Sequence, residues 1–135
     1  MKSYLFTVAF VMFSLLGFSS YEASAQSQEP VDLNVLAEEE ADKYQRILKL
    51  EDWQVFYVDS TLKHDYAALM AEAEKLQASK VTNPSMYIAV QDKWMDKIEE
   101  TYRRIFTEAQ WAAYLKTGAA KAQKARAKRQ ASTTK

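Results

Sequence analysis

EDWQVFYVDSTLKHDYAALMAEAEKLQASK, residues Glu51–Lys80, runs for thirty positions without a Gly or a Pro. Val55, Val58, Leu62, Tyr66, Leu69, Ala73 and Leu76 recur in it at spacings of three and four, which lines one face of a helix and cannot line one face of a strand. At 1.5 Å rise per residue this predicts a helix about 45 Å long. The surrounding chain repeats the pattern. Between Val31 and Thr117 there is one Pro and no Gly, so the punctuation that β-hairpins need is missing. The fold class expected is all-α.

Asn83-Pro84 is a helix start, with Asn as N-cap and Pro at the first helical position. The helix it opens runs to about Arg104, with Tyr87, Val90, Trp94, Ile98, Tyr102 and Ile105 on one face. The short link at Val81–Pro84 makes the two long helices antiparallel neighbours. Thr107-Glu108-Ala109-Gln110 is a capping box that starts a shorter helix, and Gly118 suits the C′ position that closes it. Upstream, Asp32 caps a helix over Leu33–Leu48. The expected architecture is a long antiparallel helical hairpin with shorter helices on its ends, or half of a dimer. Residues 33–118 form the helical domain. Residues 119–135 are Ala/Lys/Arg-rich with almost no apolar face and are expected to fray.

The chain opens with Lys2, an apolar run from Tyr4 to Phe18, and Ala23-Ser24-Ala25. That is the layout of a secretory signal peptide over residues 1–25, with Gln26 the first mature residue and 26–32 a flexible leader. About 15 apolar residues fall short of the roughly 20 that span a bilayer. A soluble protein of the bacterial periplasm is expected, with secretion as the second choice. There is no cysteine, so neither disulfides nor thiolate metal sites contribute. The formal net charge is zero, but it is unevenly spread. Glu38-Glu39-Glu40 lies near one end, and Lys116, Lys121, Lys124, Arg126, Lys128, Arg129 and Lys135 lie at the other without an intervening acid.

Two segments repeat a theme. Leu50-Glu51-Asp52-Trp53-Gln54 and Phe106-Thr107-Glu108-Ala109-Gln110 each follow a helix and present a large apolar residue, a polar helix-starting residue, two variable positions and Gln. This resembles the paired LTxxQ motifs of the Spy/CpxP family of small periplasmic proteins. The departures are Phe106 for Leu and Glu51 for Thr, the latter removing the capping hydroxyl. The resemblance implies an ATP-independent chaperone or envelope-stress protein: a curved helical dimer that binds unfolded or partner proteins reversibly on a concave face.

Trp53, Phe56 and Tyr57, with Val55 and Val58, make the start of the long helix apolar around most of its circumference. Two readings compete: another helix or subunit covers the excess, or it is a surface for a protein partner. Tyr87, Trp94 and Tyr102 form a stripe, with Met86 and Met95 close by, that reads as core, with protein contact at Tyr87, Trp94 and Met95 as the minority reading. Trp111, Tyr114 and Leu115 anchor the short helix. His64 reads as a solvated surface histidine, since one His without Cys is a poor metal set. No nucleophile-and-base pair or phosphate loop stands out, so no catalytic residue, metal or cofactor is expected, and the chain is read as a non-enzyme. The basic tail, Lys121, Lys124, Arg126, Lys128 and Arg129, reads as a mobile end or as a weak contact for an anionic membrane or another acidic surface, of which the acidic N-terminal helix of a second copy is one. Without an aromatic residue it is a poor nucleic-acid binder, and none is expected as partner. The alternative function is a structural or interaction protein with one dedicated partner, or self-assembly, and no holdase activity.

Overall fold

The computed structural model describes residues 31–134. The expected signal peptide, its cleavage site and most of the leader lie outside the described residues. Within them the chain is helical, with no strand: α1 Leu33–Leu48, α2 Asp52–Ala78, α3 Pro84–Ile105, α4 Glu108–Tyr114 and α5 Ala120–Thr133. None of these helices is long and apolar enough to cross a membrane.

The helix ends follow local chemistry. Asp32 caps α1 by accepting from the Asn34 amide at 2.9 Å, and Asn83 caps α3 by accepting from the Ser85 amide at 3.0 Å, with Pro84 in the first turn. Thr107 caps α4, accepting from the Gln110 amide at 3.2 Å. Lys49 closes α1 in the left-handed region (φ 57°) and Lys80 follows α2 in the same conformation (φ 58°).

Helix α2 is the central element. Its Val58, Leu62, Tyr66, Leu69 and Ala73 are buried, as the three-four spacing required. α1 packs along its first part and α3 along its length, each running antiparallel to it. On the α1 side, Lys63 meets Glu38 and Gln45 meets Asp52. On the α3 side, Gln54 meets Ile105 and Glu72 meets Lys93. Where α1, α3 and α4 converge, the core becomes aromatic. Tyr102 lies 5.8 Å from Tyr44, 5.4 Å from Tyr114 and 5.0 Å from Phe106 between ring centres. Burial pushes the phenols of Tyr44, Tyr66, Tyr102 and Tyr114 well above the ordinary tyrosine range. The Glu40 carboxylate adds to the effect at Tyr44, and Glu99 does so at Tyr114.

The tail departs from the expectation of fraying. After α4 the chain makes a widened turn over Leu115–Ala119, with Gly118 at φ 103°. It then continues as α5 instead of ending. An apolar face is indeed missing, and a polar one takes its place. Gln123, Arg126, Arg129 and Gln130 lie on one side of α5 and meet the acids of α3 along an antiparallel path. Arg129 pairs with Asp92 at 2.8 Å, Arg126 with Asp96 at 3.0 Å and with Glu99 at 2.7 Å, Gln130 bonds Asp96 at 2.7 Å, and Gln123 bonds Glu99. Arg126 is only 5% exposed. Burial by itself opposes its charge, and the Glu99 and Asp96 carboxylates more than offset this, so its pKa ends above the ordinary value. Charge complementarity on matching helical spacing can dock a helix whose hydrophobic pattern is silent. Arg103, in the last turn of α3, reaches Glu108 at 3.0 Å.

Candidate protein-contact site

The two repeated motifs meet. Gln54 and Gln110, one at the third position of α2 and the other at the third of α4, face each other across the molecule. The Gln54 side-chain amide donates to Gln110 Oε1 at 2.6 Å, and the Gln110 amide donates to Gln54 Oε1 at 3.1 Å. Each oxygen also accepts from the backbone amide that opens its own helix, Glu51 at 2.8 Å and Thr107 at 2.9 Å. Each amide also donates to the carbonyl that precedes the other motif, Ile105 at 2.9 Å and Lys49 at 3.3 Å. Equivalent positions are offset by fifty-six residues, and the bonds are reciprocal, so Lys49, Leu50, Glu51 and Gln54 stand to Ile105, Phe106, Thr107 and Gln110 as two copies of one unit. Leu50 and Phe106 are both buried beneath it. Gln54 is 1% exposed and its polar atoms are all engaged.

Glu51 still opens α2 without a hydroxyl. It sits in a capping box with Gln54, and a carboxylate near a helix N-terminus is favoured by the dipole. Its Oε2 also accepts from the Trp53 indole at 2.5 Å, which fixes an exposed ring over the helix start.

That ring belongs to an uncovered patch. Trp53 is 49% exposed, Phe56 66% and Tyr57 51%, so among the described residues no helix covers them. Tyr57 holds the three together, edge-on to Trp53 at 6.1 Å and to Phe56 at 5.8 Å. Phe56 also rims a groove of about 380 Å³ between α1 and α2. Ala41 and Val55 lie on its floor, and Glu38, Asp42, Asp52 and Asp59 line its walls. Lys63 pairs with Glu38 at 2.9 Å and with Asp59 at 3.0 Å, while the other oxygen of Asp59 is buried without a hydrogen-bond partner.

The other sequence candidates fall elsewhere. Tyr87, Trp94 and Met95 are half-buried along α3. The Tyr87 hydroxyl donates to the Val81 carbonyl at 2.7 Å, and the Trp94 indole donates to Glu72 at 3.1 Å beneath Lys97. Lys93 holds the Glu72 carboxyl below its ordinary range through their hydrogen bond. In α4, Tyr114 is buried and Trp111 half-buried, and Leu115 in the turn that follows is half-buried too. The basic tail divides by face: Arg126 and Arg129 turn inward, while Lys121, Lys124 and Lys128 are exposed. The His64 side chain is 78% exposed, with Nδ1 2.7 Å from Asp65. Among the described residues no group of His, Cys, Asp and Glu side chains could hold a metal ion.

Sequence reasoning missed the Gln54–Gln110 contact and the docking of α5. The equal offset of the motif positions signalled the first, and acids at Asp92, Asp96 and Glu99 against Arg126 and Arg129 signalled the second. Set against family models, curated proteins and solved structures, the chain matches none of them.

Proposed function

We propose that this chain is an exported, nucleotide-independent binder of unfolded or partner protein in the bacterial envelope, of the kind the Spy/CpxP resemblance implies. The observation that carries the reading is the uncovered Trp53–Phe56–Tyr57 patch, anchored through Glu51 to the paired glutamines. Half-exposed rings covered on contact contribute about 1–2 kcal/mol each, which favours binding that is reversible without fuel. Charged groups beside them keep the patch soluble when it is empty. The reading assigns no reaction, metal or cofactor to the chain.

The test is aggregation of two unrelated denatured proteins, with and without the purified protein and without nucleotide. Trp53→Ala/Phe56→Ala is the control, checked first by circular dichroism. Suppression of both clients at near-stoichiometric ratio, lost in the folded double variant, is the expected result. No suppression at several-fold excess sinks general holdase activity and leaves a single dedicated partner as the reading to pursue.

A further inference from the structure

The five cations of α5 split cleanly. Arg126 and Arg129 face α3 and are ion-paired there. Lys121, Lys124 and Lys128 stand at i, i+3 and i+7 on the opposite side, exposed and without an ion-pair partner among the described residues. They form a ridge about 10 Å long of one sign.

The α1–α2 groove carries the complementary pattern. Glu38 and Asp42 line it from α1, and Asp52 and Asp59 from α2. Glu38 and Asp42 are four residues apart on α1, about 6 Å, and Asp52 and Asp59 are seven apart on α2, about 10 Å, so the α2 pair matches the ridge in length. Lys63 pairs with Glu38 and Asp59 among these four carboxylates. Phe56, open to solvent on the rim, offers a ring face to lysine stems and ammonium groups.

We infer that the α1–α2 groove receives the outer lysine ridge of α5 from a second copy of this chain. The molecule already uses the same device internally, since the inner face of α5 docks on the Asp92, Asp96 and Glu99 row of α3 by polar contacts. The outer face repeats the cationic spacing, and the groove supplies a second acidic helix row of matching length. The ridge points away from α3, so the occupant of the groove comes from another molecule. Zero formal net charge removes the overall repulsion that would oppose pairing of identical chains. Nothing in this inference depends on chaperone activity.

Sedimentation velocity of the purified protein across a concentration series tests it. The expected result is self-association at low ionic strength, weakened about ten-fold near 0.5 M salt. Lys121→Glu/Lys124→Glu/Lys128→Glu and, separately, Glu38→Lys/Asp42→Lys each raise the half-association concentration by about ten-fold or more. Mixing the two variants in equal amounts restores association, because the reversed ridge then meets the reversed groove. The lysine variant changes only side chains without an intramolecular ion pair, so it keeps its fold and carries the test even if the α1 variant does not. A wild-type chain that stays monomeric at low salt overturns the inference, as does a folded lysine variant that associates like wild type. Two folded variants that remain monomeric when mixed do so too.

Discussion

Gln54 and Gln110 each make the contacts that a helix start and a loop would otherwise have to find in water. Each satisfies its own opening amide and the carbonyl ahead of the partner motif. Truncating one strands the groups of both units, because a buried amide or carbonyl left unpaired costs about 1–3 kcal/mol. Gln54→Ala and Gln110→Ala should therefore each lower unfolding free energy by about 2 kcal/mol or more, and the double variant by clearly less than their sum. Urea denaturation of the four proteins in the cycle measures this, and strict additivity would show that the side chains do not act as one unit. Gly118 poses a different question. A Cβ there meets nothing within 4 Å, but φ 103° suits only Gly. Gly118→Ala should cost about 1 kcal/mol through backbone strain alone, read as a lowered denaturation midpoint with unchanged slope.

At the scale of the element, α5 is the informative case. Its docking depends on Arg126 satisfying Glu99, which is 6% exposed, and Asp96. Removing one member of a buried ion pair leaves the other charged and dry, a cost of about 3 kcal/mol. Arg126→Ala should free α5 from α3, with hydrogen exchange over residues 120–133 rising well before the rest of the chain opens. Exchange that stays as slow as in wild type would mean that Arg129–Asp92 and Gln130–Asp96 hold the helix unaided. The α2 start behaves in the opposite way. Phe56 is 66% exposed, so Phe56→Ala should change unfolding free energy by less than about 0.5 kcal/mol, whatever it does to partner binding. A large stability loss would mean that the ring is structural and would remove the basis for reading it as a contact surface.

Across the whole molecule the buried phenols set the pH response. Folding holds Tyr44, Tyr66, Tyr102 and Tyr114 protonated with raised pKa values. The unfolded chain releases those protons above about pH 10. The native state then holds more protons than the unfolded one, so stability is fully present below the unfolded pKa and falls as pH rises past it. Each phenol contributes a slope of up to about 1.4 kcal/mol per pH unit there. Tyrosinate absorbance and loss of helical dichroism should consequently rise together in an alkaline titration. Ionisation of the full tyrosine complement with the helices intact would contradict the burial described for the aromatic core.

Much of this fold was legible in the linear sequence because its signals are local. The three-four spacing in α2 needs only the geometry of one helix, and the caps at Asp32, Asn83 and Thr107 need only the first turn that follows. The chain thereby specified an all-helical domain and most of its boundaries. Three features were decided by tertiary structure. Covering Trp53, Phe56 and Tyr57 depends on whether a neighbour reaches them, and α1 and α3 leave that sector open. The glutamines pair because α2 and α4 begin at one place in space, which repeated spacing hints at but cannot bring about. The tail is a docked helix because Arg126 and Arg129 meet acids some thirty positions away on α3. Hydrophobic periodicity is blind to that attraction, since complementary charge acts through space and leaves no apolar stripe on the helix it holds.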